Sequence, residues 1–333
     1  MKAIFLSQSP DGLKKVYGKA DLIHLRKTVD LTEAVFSKAD ILSPLNDFSD
    51  VEIIFSTWGM PSFTEQEIRD LLPHLKCIFY AAGSVQSFAR PFLNCGVRVF
   101  SAWAANAVPV AEYTVSQIIL ANKGFFAQTR LLEQKNLDGA KQRKAACIGN
   151  YGEKIGLIGC GMIGSLVAEK LKSYDLKVLT YDPFLSQEKA RRLNVMQVSL
   201  EELFTTCQVV SNHLANNNET KGMLRFEHFS SMPRYATFIN TGRGAQVIEN
   251  DLVRALSERP DLTALLDVTY PEPAPLSHPF YTLSNCFLTP HIAGSLGNEV
   301  TRMAAYMIEE FERYVTLQSC KYEVTEEMLK TMA

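Results

Sequence analysis

One glycine-rich segment limits the possible folds more than any other part of the chain. The residues Gly159-Cys160-Gly161-Met162-Ile163-Gly164 follow a short apolar run, Ile155–Ile158. After them, apolar residues recur at helical spacing through Leu171. A strand that turns within a few residues into an amphipathic helix is typical of the first βα unit of a parallel sheet. The segment therefore predicts an α/β fold with a helix N-terminus beside a tight glycine turn.

Short apolar runs alternate with helical stretches along most of the chain. Such alternation predicts parallel sheets with helices packed on their faces. The first series of predicted strands comprises residues 3–6, 51–55, 77–80 and 97–100. The second series has six members, at residues 155–158, 178–181, 209–211, 237–240, 264–267 and 286–288. Because the chain has 333 residues, and single cores rarely grow past roughly 250 to 300 residues, we expect two domains.

An acidic residue ends the strand that follows the glycine segment. Asp182 lies in Tyr181-Asp182-Pro183, eighteen residues after Gly164. A glycine turn with a carboxylate at this distance indicates a dinucleotide site, where the amides hold the pyrophosphate and the carboxylate binds the adenosine ribose. The carboxylate would repel a 2′-phosphate, so NAD is favoured over NADP. The alternative is that Asp182 only caps the turn before Pro183.

These elements predict two doubly wound α/β domains. A Rossmann NAD-binding domain, residues 104–294, would be inserted into a flavodoxin-like substrate domain, residues 1–103 and 295–333. A helix from Val110 to about Leu131 would lead out of the substrate domain. The apolar spacing from Leu296 to Val315 predicts a helix that returns to it.

Three polar residues lie where later strands are predicted to end. They are Arg243 between two glycines, Glu272 between two prolines, and His291 in Thr289-Pro290-His291. The carboxyl ends of strands are where doubly wound sheets bind ligands. An arginine there can bind a carboxylate with two hydrogen bonds. A hydride can leave an alcohol carbon only if the hydroxyl proton is removed, so His291 is the expected base and Glu272 its partner.

These residues resemble the D-isomer-specific 2-hydroxyacid dehydrogenase family. The resemblance runs from about Asn106 to Ser295 and depends on residues 106–114, the glycine turn, residues 240–244, residues 267–273 and residues 289–291. It implies that Arg243, Glu272 and His291 act on a small 2-hydroxy or 2-oxo acid, and it also implies a homodimer. The cofactor-binding residues that we expect are Gly159, Gly161, Met162, Ile163, Gly164, Asp182, His213, Thr220, Thr241, Gly242 and Asp267.

The substrate pocket is less clearly marked in the sequence. In the family, backbone amides of a glycine loop in the first domain share the substrate carboxylate with the arginine, and residues 81–85 resemble that loop. The candidate substrate-binding residues are Ala82, Gly83, Ser84, Trp58 and Trp103, although core packing is an equal alternative for both tryptophans. Ala215 stands where relatives usually have proline. Near Gly83 there is no basic cluster for a phosphate, which disfavours phosphoglycerate, but Arg90 and Arg98 keep it open.

Composition excludes several classes of function. A net charge of −2 does not indicate nucleic acid binding, and no apolar stretch approaches the ~18 residues of a membrane span. Seven cysteines without a C-x-x-C pair argue against a disulfide framework or a metal site, and favour the cytoplasm. Two alternatives stay open. One is a formate- or phosphite-type dehydrogenase, although formate members of the family carry glutamine in place of Glu272; the other is an NAD(H)-sensing regulator.

Overall fold

The computed structural model describes residues 1–330, which form two compact units. One unit comprises Met1–Asn106 together with the chain from Ser295 onward, and the other comprises Ala107–Gly294. The first junction falls inside a helix rather than in a linker. This explains why no linker composition marks it in the sequence.

The first unit contains the first five strands and the first five helices. The strands are β1 (Lys2–Leu6), β2 (Asp30–Phe36), β3 (Val51–Ser56), β4 (Cys77–Tyr80) and β5 (Arg98–Ser101). The helices are α1 (Pro10–Val16), α2 (Lys19–Leu25), α3 (Lys38–Leu42), α4 (Glu65–Leu71) and α5 (Ala89–Asn94). Helix α6 (Trp103–Asn122) continues into the second unit. The predicted helix from Val110 to about Leu131 is wrong at both ends. The helix begins earlier, at Trp103, and it ends at Asn122, because Gly124, at φ +64°, separates α6 from the next helix.

The second unit contains seven strands. They are β6 (Lys154–Ile158), β7 (Lys177–Tyr181), β8 (Val195–Gln197), β9 (Val209–Asn212), β10 (Thr237–Asn240), β11 (Thr263–Leu266) and β12 (Cys286–Leu288). Its helices are α7 (Phe125–Glu133), α8 (Leu137–Ala145), α9 (Met162–Leu171), α10 (Gln187–Leu193), α11 (Leu200–Thr206), α12 (Phe226–Ser230) and α13 (Glu249–Glu258). The first unit is completed by α14 (Val300–Val315) and β13 (Glu323–Val324).

The sheet of the first unit has the order β13-β5-β4-β3-β1-β2. Its strands are parallel except β13, which pairs with β5 in the antiparallel direction. Without β13 the order is that of a flavodoxin-like sheet, as predicted. The sequence reading missed β2 and β13. Both lie at edges of the sheet, and β2 includes the charged residues Asp30 and Glu33, so neither gives a continuous apolar run.

The sheet of the second unit has the order β12-β11-β10-β9-β6-β7-β8 and is parallel throughout. From β6 the chain runs to β7 and β8 on one side, and then returns to β9 on the other. This reversal is the switch point of a Rossmann sheet, where ligands bind beside the carboxyl ends of the strands. The predicted doubly wound architecture is confirmed, with one short edge strand, β8, added to the six predicted.

Alternate residues of the central strands pack on opposite faces of each sheet. In β1, Ala3 and Phe5 face one core and Ile4 and Leu6 face the other, which gives the first unit a core on both sides. On one face, Phe79 lies between Phe55 and Phe100 with ring centroids 5.5 and 4.8 Å apart. Burial of apolar residues on both faces is what a doubly wound sheet requires.

Helix α14 belongs to the core of the first unit. Met303, Met307 and Phe311 are at most 1% exposed, and the ring of Phe311 meets that of Phe55 edge-on at 5.3 Å. Leu296, which the apolar pattern included, lies before the helix and is 52% exposed. Within residues 1–330, every helix is too short or too polar to cross a membrane.

Candidate functional site

The glycine turn joins β6 to α9, and two of its three glycines are required by the protein itself. Gly159 has φ +87°, and a Cβ atom there would lie 2.7 Å from the carbonyl oxygen of His213. A Cβ atom on Gly164 would lie 2.1 Å from the carbonyl oxygen of Gly159. Larger residues would therefore push the turn away from the neighbouring strand and helix. These contacts explain the tight turn and the close helix packing that the motif predicts.

The middle glycine faces open space instead. A Cβ atom on Gly161 would meet no described protein atom within 4 Å, and the residue is exposed at the N-terminus of the ten-residue helix α9. The first N–H groups of a helix have no partner inside the helix and attract anions. Gly161 therefore leaves room for the pyrophosphate of a dinucleotide beside free N–H groups, including those of Met162 and Ile163. The residues present fit NAD.

Asp182 is held against the glycine turn. Its carboxylate accepts hydrogen bonds from the N–H of Cys160 at 2.7 Å and from the N–H of Phe184 at 2.9 Å. The side chain of Lys189 donates to the carbonyl oxygen of Cys160 at 2.7 Å. Lys189 was not predicted from the sequence, because it reaches the turn only through the return of α10. Asp182 thus binds the N–H of Cys160, and Lys189 binds the carbonyl oxygen of the same residue.

His213 follows β9 and is 9% exposed. Its Nε2 atom lies 3.0 Å from the hydroxyl of Ser211, whereas its Nδ1 atom is buried with no hydrogen-bond partner among residues 1–330. Burial lowers the pKa of His213 to about 4. The imidazole is therefore neutral at neutral pH and adjoins Gly164, whose added Cβ atom would lie 3.7 Å from that of His213.

The low pKa of His213 predicts a pH-dependent stability. In the unfolded chain this histidine binds a proton near pH 6.5, but in the folded protein only near pH 4, so stability decreases as the pH falls through this window. Between pH 7 and pH 5 we expect a loss of about 2 kcal/mol in unfolding free energy from this residue. Urea unfolding of the wild type and of His213→Gln at both pH values measures it. An equal pH dependence of the two proteins would contradict the assignment.

Arg243 lies in the turn after β10 and is half-buried. Its Nη1 atom donates to the carbonyl oxygen of Gly242 at 2.7 Å, and within residues 1–330 no carboxylate lies within 4.0 Å of its guanidinium group. Burial lowers the pKa of Arg243, and the negative charge of Glu272 offsets only part of this shift. A half-buried guanidinium without an ion pair has donors left for an anion.

His291 and Glu272 form a hydrogen-bonded pair. The Nδ1 atom of His291 lies 2.6 Å from Oε1 of Glu272, and the two side chains are 46% and 38% exposed. The Nε2 atom of His291 has no hydrogen-bond partner among residues 1–330. His291 has φ +54°, and the peptide bonds before Pro271 and Pro273 are cis. The pair therefore leaves one imidazole nitrogen free for a reactant.

Asp267 holds the loop that carries His291. Its buried carboxylate accepts hydrogen bonds from the Thr289 hydroxyl at 2.6 Å, from Ile292 N–H at 2.8 Å and from Ala293 N–H at 2.9 Å. Its carbonyl oxygen accepts from the N–H of His291 at 3.0 Å. The contact of Asp267 with the cofactor, which the resemblance implies, stays a prediction. What the structure adds is the bonding of Asp267 to residues 289–293.

Glu249, at the start of α13, holds the loop that carries Glu272. It accepts a hydrogen bond from the N–H of Tyr270 at 2.8 Å, and its other oxygen lies 3.3 Å from Nε2 of His278. Burial raises the pKa of Glu249 and lowers that of His278. Neither residue was predicted from the sequence. An acidic residue in the first turn of a helix, such as Glu249, is common on any helix and carries no specific signal.

The remaining predicted cofactor residues lie beside the same strand ends. The hydroxyl of Thr241 is 3.2 Å from that of Thr114, and the N–H of Gly242 donates to the Asn240 side chain at 3.1 Å. The hydroxyl of Thr220 donates to the carbonyl oxygen of Ala215 at 2.6 Å. Among residues 1–330, no group of three or more His, Cys, Asp or Glu side chains could hold a metal ion.

In the first unit, the predicted substrate loop follows β4. The carbonyl oxygens of Ala82 and Gly83 accept hydrogen bonds from the hydroxyl of Ser101 at 2.9 and 2.6 Å. The N–H groups of Gly83 and Ser84 donate to no acceptor in the part of the chain that the structure describes. Two consecutive free N–H groups can bind an anion.

The aromatic and basic residues of the first unit have different environments. Trp58 is 43% exposed, whereas Trp103 packs edge-on against Tyr322 at 5.7 Å. Arg98 makes two hydrogen bonds to the carboxylate of Glu323, at 2.7 and 2.6 Å. Arg98 is therefore not free for a substrate phosphate, which removes one of the two residues that kept a phosphate subsite open.

Comparison with known proteins gives consistent results. A family model described as the NAD-binding domain of D-isomer specific 2-hydroxyacid dehydrogenases matches residues 115–293. A formate dehydrogenase of Neurospora crassa is 30% identical over 281 residues, which are 81% of this chain and 75% of the relative. A glyoxylate reductase of Korarchaeum cryptofilum is 35% identical over 159 residues, 48% of each chain. D-Mandelate dehydrogenase of Rhodotorula graminis, at 17% identity, shares the fold with a TM-score of 0.81 over 98% of both chains.

The Rossmann sheet, its glycine turn and the matching family model define an NAD-dependent oxidoreductase. The chain belongs to the D-isomer specific 2-hydroxyacid dehydrogenase family, since the model matches more than half of its residues and a relative at 30% identity covers 81% of it.

Proposed function

We propose that this protein interconverts a small 2-oxo acid and its D-2-hydroxy acid, with His291 as the acid/base, Glu272 as its partner and Arg243 as the substrate-orienting residue. The observation that carries the proposal is the 2.6 Å bond between Nδ1 of His291 and Glu272, which leaves Nε2 free. Other His–Glu pairs occur in the chain, such as His24 with Glu312. This pair differs in that it lies in the loops after β11 and β12, at the ligand-binding edge of the Rossmann sheet. Arg243, half-buried and without an ion pair among residues 1–330, supplies the charge that a substrate carboxylate needs.

The free nitrogen of His291 moves the proton. In reduction, Nε2 donates its proton to the forming alkoxide oxygen, and in oxidation it removes the hydroxyl proton. Glu272 accepts the hydrogen bond from Nδ1 and so fixes the orientation of the ring, with Nε2 directed to the reactant. NADH, when bound, supplies the hydride. The remaining requirement is that the substrate be oriented, which falls to Arg243.

Each unit carries one group that can bind a carboxylate. The guanidinium of Arg243 can donate two parallel hydrogen bonds to it, a geometry that fixes orientation as well as position. The free N–H groups of Gly83 and Ser84 support the proposal that loop 81–85 is also a carboxylate-binding segment. The exposed indole of Trp58 is proposed to contact the substrate, and Trp103, which packs on Tyr322, is the weaker candidate.

Formate is the main alternative substrate, because a relative at 30% identity is named a formate dehydrogenase. Formate is already a carboxylate, and its oxidation to carbon dioxide removes a hydride without removing a proton from oxygen. The His291–Glu272 pair would then have no proton to transfer. Glu272 thus favours a hydroxy acid, in agreement with the glutamine that formate members of the family carry at its position.

NADH absorbance at 340 nm tests the proposal directly. The wild type is mixed with glyoxylate, pyruvate, hydroxypyruvate, and branched and aromatic 2-oxo acids, and formate is tested in the opposite direction with NAD. Turnover of at least one 2-oxo acid, at a kcat within the ordinary range of about 1 s⁻¹ or more, supports the proposal. Turnover of formate alone replaces it with the formate reaction, and NADH binding without any turnover favours a regulatory protein.

Asp182 is proposed to select NAD over NADP. In Asp182→Asn the amide oxygen can still accept a hydrogen bond from the turn, but the charge that repels a 2′-phosphate is lost. Because Lys189 adjoins the turn, we expect the ratio of kcat/KM for NADPH to that for NADH to rise about tenfold or more, the effect of about 1.4 kcal/mol. Steady-state kinetics with both cofactors measure the ratio. An unchanged ratio would mean that Asp182 only caps its turn.

We also propose a homodimer, as the family resemblance implies. Six large apolar side chains between 39% and 86% exposed lie within residues 120–151 of the second unit: Leu120, Phe125, Leu132, Leu137, Ile148 and Tyr151. Large apolar side chains exposed in this number within one stretch of chain favour a subunit interface. Light scattering after size-exclusion chromatography should give twice the chain mass, and Leu137→Glu should shift it toward the monomer. A monomeric wild type would contradict the proposal.

A further inference from the structure

A network of buried amide side chains lies behind the turn that carries Arg243. Asn212, Asn240 and Gln246 are 0%, 1% and 0% exposed. Nδ2 of Asn212 donates to the side-chain oxygens of Asn240 at 3.0 Å and of Gln246 at 2.5 Å. Such residues are rarely this deeply buried unless their hydrogen bonds are satisfied. The proposed reaction uses none of the three side chains.

Gln246 connects two loops of the candidate site. Its side-chain oxygen accepts from the N–H of Arg243 at 3.2 Å as well as from Asn212. Its amide nitrogen donates to the carbonyl oxygens of Leu214 at 2.7 Å and Ala215 at 2.9 Å. An amide side chain has two donor hydrogens and two acceptor positions. All four positions on Gln246 are therefore used: one by the N–H of Arg243, one by Asn212 at the end of β9, and two by carbonyl groups in the loop after His213.

The surrounding residues fit this arrangement closely. A Cβ atom on Gly242 would lie 3.0 Å from the side-chain oxygen of Gln246, so the turn approaches the amide at the glycine. Nδ2 of Asn240 donates to the carbonyl oxygen of Arg243 at 3.1 Å. Both backbone groups of Arg243 are thus hydrogen-bonded to the network, the N–H to Gln246 and the C=O to Asn240. Ala215 lacks the ring that would fix φ in a proline, and its carbonyl oxygen is held by the Gln246 amide.

We propose that Gln246 is a positioning residue for Arg243, and that it sets the geometry of carboxylate binding through the Arg243 N–H. This inference rests on the proposed function, because it assumes that Arg243 binds the substrate carboxylate. A misplacement of about 1 Å at a reacting or orienting group can lower the rate about 10²-fold. A buried network in which each polar side-chain atom has a hydrogen-bond partner is rigid enough to prevent such a shift.

A double-mutant cycle tests the inference. Gln246→Met, of similar length but without hydrogen bonds, is made in the wild type and in Arg243→Ala, and kcat/KM for the best 2-oxo acid is measured. In the wild type we expect a loss of roughly tenfold or more. In Arg243→Ala we expect less than about a twofold further loss, because without the guanidinium the position of the turn no longer matters. The KM for the acid should rise more than the dissociation constant of NADH.

Equal losses in both backgrounds would overturn the inference, since a general structural defect would add to the loss from Arg243→Ala. A loss below about twofold in the wild type would also overturn it. Phe204→Leu, a buried substitution on α11, is the control for lowered stability and should leave kcat/KM within about twofold. If Gln246→Met does not fold, Gln246→Asn, whose amide is one methylene shorter and so does not reach the same partners, enters the same cycle. An inactive wild type, or an Arg243→Ala variant as active as the wild type, would instead refute the proposed function.

Discussion

Replacement of His291 by asparagine is expected to lower kcat for 2-oxo acid reduction by about 10²- to 10⁴-fold, the range for loss of a general acid. His291 has φ +54°, and asparagine tolerates this left-handed conformation better than alanine does, so the loop should keep its shape. Neither nitrogen nor oxygen of the asparagine amide can donate a proton to an alkoxide at neutral pH. The variant should therefore bind NADH normally but reduce the acid slowly.

Stopped-flow mixing measures the rate of acid reduction, and NADH fluorescence measures cofactor binding, so the two together distinguish a loss of proton transfer from a loss of the cofactor site. We expect the dissociation constant of NADH to stay within about threefold of the wild-type value, since a retained cofactor site is the condition for assigning the loss to proton transfer. Glu272→Gln is the matched comparison. Its side-chain oxygen can still accept the hydrogen bond from Nδ1 of His291, so its loss in kcat should be smaller than that of His291→Asn. Activity of His291→Asn within threefold of the wild type would remove His291 as the acid.

Replacement of Arg243 by alanine is expected to lower kcat/KM for the 2-oxo acid by about 10²-fold or more. Each hydrogen bond between charged groups contributes about 1.5 to 3 kcal/mol, and a bidentate guanidinium makes two. Two such bonds together correspond to about 3 to 6 kcal/mol, and the half-buried position of Arg243 limits screening by water, so the loss should not fall below the hundredfold at the lower end of this range. Because the interaction is with the substrate, most of the loss should appear as a higher KM for the acid.

Arg243→Lys is the control for charge alone. Lysine keeps the positive charge but not the planar pair of donors, so we expect it to recover only part of the lost kcat/KM. Steady-state kinetics of both variants with the best 2-oxo acid measure the difference. If the alanine and lysine variants both match the wild type, the function proposed for Arg243 is refuted, and the N–H groups of Gly83 and Ser84 become the first candidates for binding the carboxylate.

Local sequence determined the two sheets, the glycine turn and the identities of the proposed catalytic residues. Central strands are buried on both faces, so their apolar runs are visible without any partner, as in Ile155–Ile158. The glycine turn can also be recognised from local sequence, because the φ of +87° at Gly159 is a requirement of the turn itself. The edge strands β2, β8 and β13 were not predicted. An edge strand is stabilised mainly by its neighbour, and short or partly polar runs carry little signal of their own.

Only the tertiary structure determined which polar side chains hold the site. Asp267, Glu249 and Gln246 make their decisive hydrogen bonds to backbone groups that are 21 to 32 residues away in sequence. Such bonds depend on where separate loops end relative to one another, and no local spacing encodes that. The sequence by itself therefore specified the groups of the proposed site, His291, Glu272 and Arg243. The orientation of these groups depends on distant residues. A buried polar group without a hydrogen bond is costly, so the fold favours the packing in which the side chains of Asp267, Glu249 and Gln246 meet their backbone partners.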